Sequence, residues 1–236
     1  MKKIVVLALC MICSNIFAQD NKLLIGASFS PDYSYRHLSA NSKNSDSFAK
    51  ELIAARNEAE APLLGFNSGL KLIYKIKPKW ALETGIGISK KGERFKEMEI
   101  LVTDPNDPLA GDKIKNRFSY YYLEVPIKAN YYLTTGKLKL FASAGLSADL
   151  FLFGKNKAII TFSDGHKDIY NTTSTSNGNS FALGVQGGFG VEYSLSNKFD
   201  MRIEPTYRRQ ILTTGNQIIK VQYYSAGLTV GVYYKL

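Results

Sequence analysis

The chain has 236 residues, with 30 Lys and Arg against 20 Asp and Glu, a formal net charge of +10, and 15 Tyr beside a single Trp. Both cysteines, Cys10 and Cys13, and two of the positive charges fall in the first eighteen residues, so a mature chain starting at Gln19 holds no disulfide and no thiolate metal site. No run of Lys and Arg resembles a basic arm or helix, which argues against nucleic acid as a partner, while abundant Tyr suits positions where a ring meets apolar and polar surroundings together.

Residues 1–18 read as a signal peptide for Sec export. Lys2 and Lys3 form the basic start, Ile4 to Ile12 the apolar stretch, and Ala18 the small residue before the cut. The apolar run is too short for a membrane helix and breaks at Ser14 and Asn15. Ile16 is larger than signal peptidase usually prefers near the cut, and Leu9 and Ile12 before the two cysteines do not suit a lipoprotein signal. Residues 19–236 are then expected to form one barrel domain.

In chain order, the first strand, Leu23 to about Tyr35, alternates poorly and is interrupted by Pro31. A segment from Phe48 to Arg56 has helical composition, with Phe48, Leu52, Ala55 and Ala59 on one face and Asp46 or Ser47 as N-cap; a helix packed on a barrel rim is the expectation. From Phe66 to Ile76 the apolar set is Phe66, Leu70, Leu72, Tyr74 and Ile76, opposite Asn67, Lys71 and Lys75. After Lys77-Pro78-Lys79, Trp80 to Ile88 alternates again, with Glu83, Gly85 and Gly87 on the other face.

The clearest strand runs from Tyr121 to Leu133. Its apolar face is Tyr121, Leu123, Val125, Ile127, Ala129, Tyr131 and Leu133, and its other face carries Tyr122, Glu124, Pro126, Lys128, Asn130 and Tyr132. Opposite charges on one face are odd for a sheet packed on a core. They make sense when the apolar face meets lipid and the polar face lines a narrow barrel. Leu138–Leu150, Phe181–Tyr193, Phe199–Tyr207 and a last strand through Tyr224 to Leu236 repeat the pattern.

Connection lengths support the same architecture. Short turns at 77–79, 134–137 and 195–198 alternate with long links at 36–64, 90–117, 154–179 and 213–220. Short periplasmic turns, long external loops and an even strand number are the pattern of an outer-membrane barrel. The expected fold is all-β: an eight-stranded antiparallel transmembrane up-and-down β-barrel with a short helix in its first external loop.

An eight-stranded barrel has an interior that side chains fill. The inward face would hold Lys71, Lys75, Lys128, Arg202 and Arg208 against Glu83, Glu124, Asp149, Glu192 and Glu204. Buried charges are tolerated when paired and hydrogen-bonded. Lys71, Glu83, Glu124, Lys128, Glu192, Arg202, Glu204 and Arg208 are therefore expected to form a barrel-interior charge network, with a narrow conduction path as the alternative. Glycines on inner faces relieve crowding in a tightly curved wall. Gly188-Phe189-Gly190 is no dinucleotide fingerprint, because no helix follows its strand.

Catalytic and metal sites are poorly supported. Outer-membrane hydrolases and acyltransferases pair a His with Ser or an acid, and only His37 and His166 are present, both in expected loops. Ser163, Asp164 and Asp168 surround His166 in an ordinary polar loop. Asp104, Asp107 and Asp112 are interrupted by Pro105 and Pro108 and lack calcium-loop spacing. No catalytic residue, cofactor or metal ligand is assigned. Lys75, Lys77, Lys79, Lys137, Lys139, Lys198 and Lys235 gather near the expected periplasmic end, where Lys can snorkel to lipid headgroups.

The run Tyr122-Leu-Glu-Val-Pro-Ile-Lys-Ala-Asn-Tyr-Tyr132 resembles the Tyr-Leu-Glu-(Ile/Val)-Pro signature of PorT-type outer-membrane β-barrel proteins of Bacteroidota. Phe141-Ala-Ser-Ala-Gly-Leu146, Arg202-Ile-Glu-Pro205 and Ser225-Ala-Gly-Leu-Thr-Val-Gly-Val-Tyr-Tyr234 are similar to later strands of that family. The resemblance covers most of the mature chain and departs from typical members in the long, helix-containing first loop. It implies a Gram-negative outer-membrane location and a barrel fold. One branch of the family takes part in protein secretion, but the shared motif is a strand signature and carries no site residue.

Two functions follow as expectations. One is a non-enzymatic barrel whose external loops act as a structural, binding or accessory component. The other is a transport-related barrel, either a narrow pore or part of a secretion machine. Outer-membrane lipids are the expected partners, with a cell-envelope protein as a further partner and a monomer as the expected state.

Overall fold

Segments that alternate apolar and polar residues expose one face to hydrocarbon only if every backbone N–H and C=O is paired, and a closed sheet does this without edges. The computed structural model describes residues 22–40, 47–100, 112–175, 180–213 and 218–236. The expected signal peptide, Asp46, Asp104 and Asp107 lie outside the described residues. The elements are β1 (Leu23–Ala40), α1 (Ser47–Ala59), β2 (Glu60–Lys77), β3 (Trp80–Phe95), β4 (Met98–Glu99), β5 (Lys113–Tyr132), β6 (Leu138–Thr161), β7 (Lys167–Ser174), β8 (Phe181–Ser194), β9 (Phe199–Thr213) and β10 (Ile219–Lys235). Eight strands close a ring in the order β1, β2, β3, β5, β6, β8, β9, β10 and back to β1, every pairing antiparallel. β4 and β7 pair with β5 and β6 outside that ring.

Outward positions carry exposed apolar side chains such as Leu70, Ile86, Ile127, Leu146, Phe189 and Leu228. Aromatic rings bound this surface at both ends. Trp80 meets Tyr131 at 4.8 Å between centroids and Phe199 meets Tyr234 at 5.3 Å near the short turns. At the other end Phe29, Phe66, Tyr121 and Phe153 touch in series, at 6.2, 6.5 and 4.5 Å. Trp80 pairs with Tyr131 and Lys90 with Tyr121, so the two girdles lie ten residues apart along β3. At about 3.4 Å per residue and a tilt of about 40°, that gives a height of about 26 Å, matching the hydrocarbon band of such barrels.

Several expectations change. β1 alternates from Leu24 to Leu38, with Ser28, Ser30, Asp32, Ser34 and Arg36 buried and Phe29, Tyr33 and His37 outside. Its inner face is built of serines, which weakens the contrast that a hydropathy pattern relies on. Pro31 interrupts the ladder with β10, which passes from Phe29↔Val230 to Asp32↔Gly227 in unchanged register without pairs at Ser30 and Pro31, while the ladder with β2 is continuous. The long links at 90–117 and 154–179 are partly strand. β5 starts at Lys113, and Gly154–Thr161 pairs with Lys167–Ser174 as a hairpin turned at Gly165, whose φ of 89° suits Gly. The helix extends to Ala59, and it is rotated from the expected face: Phe48 is 60% exposed and Leu52 also points outward, while Ala49 is buried with Ile53 and Arg56 half-buried on the same side.

The interior is also not uniformly polar. Leu24, Ile73, Ala81, Tyr132, Phe141 and Tyr233 form a buried apolar cluster at the short-turn end. Each sits on the inward parity of its strand, so alternation alone assigns it to the polar face.

Gly227 is the tightest point of the β1–β10 seam. A Cβ there would lie 2.0 Å from Asp32 Oδ1 and 2.6 Å from the Pro31 carbonyl oxygen. Gly227→Val is expected to displace the Asp32 carboxylate and lower stability by about 1–3 kcal/mol, the usual cost of overpacking. Urea titration in lipid vesicles, followed by fluorescence of the sole tryptophan, Trp80, measures it.

Candidate functional site: the charged barrel interior

The inward parity of eight strands brings charges from the whole chain into one narrow column. At the short-turn end, Glu192 accepts from Lys139 Nζ at 2.9 Å, Arg202 Nε at 2.8 Å and the Tyr132 hydroxyl at 2.7 Å. Asp200 pairs with Lys235 at 2.7 Å, and Lys75 lies 3.7 Å from Glu192 and 3.8 Å from Asp200. The Arg202 guanidinium donates to the Tyr132 hydroxyl and roofs the apolar cluster, 4.5 Å from the Phe141 ring centroid.

In the middle tier, Arg202 Nη1 donates to Glu83 Oε2 at 3.1 Å. β3 and β9 are four strands apart in either direction around the ring, so this ion pair spans the barrel's diameter. Lys128 bridges Glu83 at 3.3 Å and Glu204 at 3.0 Å, Asn130 donates to Glu83 at 3.2 Å, and the Ser143 hydroxyl donates to Glu204. Lys71 is buried across from Gly85, beside Glu83 and Glu124.

Higher up, Asn67 donates to Glu124 at 2.9 Å, and Lys91 reaches Asp149 at 2.5 Å and Glu124 at 3.7 Å. Gln210 also donates to Asp149, at 2.9 Å. Asp32 accepts from Arg208 at 3.0 Å, Ser225 at 2.9 Å and Ser30 at 2.5 Å. All eight residues proposed from the sequence are thus buried inside the barrel, and all but Lys71, which joins no ion pair among the described residues, bond to one another or to neighbouring inner charges. The sequence reading missed Asp32, Lys91 and Asp200 as members. Asp200 shares inward parity with Arg202. Asp32 and Lys91 lie beyond the segments where alternation was evident.

A separate cluster closes the external mouth. Glu60, the first residue of β2 and directly after α1, accepts from Arg36 at 2.6 Å and from Arg56 at 2.5 Å. Arg36 also donates to Asn57 at 2.6 Å, and Arg56 lies 3.6 Å from Glu93. These bonds dock the C-terminal end of α1 on the barrel. Below them Tyr120 and Tyr223, again four strands apart, face each other at 5.4 Å. Glu93 lies three residues beyond the girdle position Lys90, outside the hydrocarbon band. Burial, and then the Glu60 carboxylate, push its carboxyl up to about 7, against the lowering effects of a Tyr223 hydrogen bond and the two arginines.

The remaining sequence candidates lie apart from both clusters. His37 is outward-facing opposite Gln222. His166 is exposed at the β6–β7 turn, with Nε2 3.2 Å from Asp168, its backbone N–H donating to Asp164 and its ring stacked on Phe162. The Ser163 backbone N–H donates to Asp112 at 2.9 Å, so Asp112 serves the loop's backbone. Among the described residues, no three His, Cys, Asp or Glu side chains are placed to hold a metal ion.

A family model described as "Outer membrane protein beta-barrel domain" matches residues 17–208. The chain belongs to this outer-membrane β-barrel family. No curated protein matches it. Three solved barrels are similar to it. Neisserial surface protein A is 15% identical with a TM-score of 0.47, covering 92% of this chain and 99% of that one. OprG from Pseudomonas aeruginosa is 14% identical with a TM-score of 0.40, covering 91% and 95%. The outer membrane protease OmpT from Escherichia coli is 7% identical with a TM-score of 0.43, covering 92% and 98%. Family and fold place the protein in the outer membrane.

Two predictions follow from this geometry. Arg202→Met leaves Glu83 and Glu192 short of a buried partner and is expected to cost about 3–5 kcal/mol, whereas Arg202→Met with Glu83→Gln costs less; unfolding midpoints of the two variants measure the difference. Glu93 binds a proton in the folded state at pH values where the unfolded carboxyl has lost it, so stability falls as pH rises from about 4.5 to about 7. Its full contribution is of the order of 3 kcal/mol. Glu93→Gln should flatten that slope, making the variant more stable than the parent at pH 8 and equal to it at pH 4; thermal unfolding in detergent across that range is the check.

Proposed function

We propose that the protein is a closed, non-enzymatic outer-membrane barrel that serves as a rigid support for its external helix and sheet, in a structural, binding or accessory role. The observation that carries this reading is the Arg202–Glu83 ion pair across the full diameter, tied to Lys128, Glu204, Glu192 and Tyr132. A hydrated permeant ion entering this tier would have to displace buried, mutually bonded charges, each of which costs several kcal/mol to leave unpaired. The Tyr120–Tyr223 contact and the Arg56–Glu60 latch add two further constrictions above it.

Planar-bilayer recording tests this. The parent protein should give no reproducible conductance steps, and the doubly truncated Arg202→Ala, Glu83→Ala variant should give small ones. Steps from the parent that change on Glu124→Gln would support the narrow-pore reading instead.

The accessory role is supported by the strand motif from Tyr122 to Tyr132, similar to that of PorT-type proteins. It predicts a cell-envelope protein partner engaged through the external elements. Co-purification from detergent-solubilised membranes, with the α1 segment intact and deleted, tests that role.

A further inference from the structure

Beyond the hydrocarbon band β5 and β6 continue to pair, from Tyr121↔Phe153 up to Lys113↔Thr161, and β7 widens the sheet. The register determines which side chains share its outward face. Tyr121 and Phe153 belong to the lipid-facing girdle. Two residues further out the same face carries Ser119 and Lys155, and two further Arg117 and Lys157. β3 adds Lys90 opposite Tyr121 and Arg94 opposite Arg117, and Lys115 follows next on β5. These six basic side chains stand on one continuous surface, with Lys113 (opposite Glu99, the acid in register on that face) and Lys167 (opposite Thr161) at its outer edge.

The charges on this face differ from those inside the barrel. Among the described residues, none of these six joins an ion pair. Arg94, Arg117 and Lys157 form a row across three adjacent strands, spaced about 5 Å apart. Like charges directly opposite one another destabilise a sheet, and a bound anion reverses the sign of that term. Lys155 is anchored over the girdle itself, its ammonium 6.0 Å from the Tyr121 ring centroid and 5.7 Å from that of Phe153.

Position selects the anion. Lys90 is level with the girdle, Lys155 about 7 Å further along the strand and the Arg94–Arg117–Lys157 row about 13 Å further. Allowing for strand tilt, Lys155 stands about 5 Å above the girdle, within the headgroup layer of about 5–7 Å, and the row stands about 10 Å above it, from where the long Arg and Lys side chains reach back to that layer. The face continues the lipid-facing wall, so it looks sideways over the bilayer and not up into the medium. Guanidinium forks take phosphate oxygens in pairs, and ammonium groups add point charges.

We propose that this face is a binding site for the phosphate groups of outer-leaflet lipid, with Arg94, Arg117, Lys155 and Lys157 as its principal contacts. The inference holds whether or not the interior conducts.

The test uses the full mature chain refolded in zwitterionic detergent, with bisphosphorylated lipid A as the probe and bound phosphate measured after gel filtration. The Arg117→Gln, Lys155→Gln, Lys157→Gln triple variant is expected to bind at least tenfold more weakly. Arg117→Lys, Lys155→Arg, Lys157→Arg should retain binding, as should Lys77→Gln, Lys79→Gln, Lys198→Gln at the opposite end. Dephosphorylated lipid A should not be retained. Heat-modifiable gel mobility verifies that each barrel has folded; the single Lys155→Gln variant, expected to weaken binding about threefold, replaces a triple variant that does not fold. Undiminished binding by the neutralised variants, or equal retention of the dephosphorylated lipid, overturns the proposal. Tight binding of heparin that lipid A fails to displace also overturns it, in favour of a soluble polyanion.

Discussion

Closure of the sheet at eight strands is the constraint on which the other features depend. Hydrocarbon tolerates no unpaired backbone polar group, so the strands must form a ring. A ring of eight leaves room only for side chains within it. The inward charges then pack against one another. Each inner carboxylate must find its cation among the few strands within reach, and Arg202 reaching Glu83 across the whole diameter shows how short those distances are. The outer face follows from the same closure, since alternation sends every second residue to lipid.

The two ends of the barrel solve the problem of ending this column differently. At the short-turn end an apolar cluster takes over, and Arg202 marks the boundary by bonding carboxylates above while lying on the Phe141 ring below. At the external end, the C-terminal turn of α1 brings Arg56 and Asn57 to the mouth, where Arg36, Glu60 and Glu93 meet them. Charges inside the wall are thus neutralised by the protein itself. Charges on the outward side of the β5–β6 extension are left to the surroundings.

Much of this was legible in the sequence because a period of two carries both the strand and its facing. Glu124 and Lys128 on one face, with Leu123 and Ile127 on the other, sufficed to infer lipid outside and ion pairs inside. Legibility failed where the contrast between faces was low. β1 places serines inside, so its regular alternation looked poor, and Ile73, Phe141 and Tyr233 are apolar residues on the inward parity. It also failed where strands leave the membrane. Lys113–Ser119 and Lys155–Thr161 alternate Lys or Arg with mixed residues, and no hydropathy pattern separates such a segment from a loop. Which carboxylate meets which cation was not readable at all, because partners lie up to 176 residues apart in the chain.

The interruption at Pro31 has a bearing on how the barrel closes. β1 and β10 are the first and last strands, and their pairing joins the most distant parts of the chain, the contact with the largest loop-closure entropy. At its centre the ladder lacks a pairing at Ser30 and Pro31, and there the Asp32 carboxylate, held by Ser30, Ser225 and Arg208, stands in for backbone bonds. The seam is therefore fastened by a side-chain clasp that exists only when β1, β9 and β10 are already side by side. Such a contact forms late and resists opening more than it speeds closing. A clasp of that kind acts on the lifetime of the finished barrel and leaves the speed of its assembly unchanged.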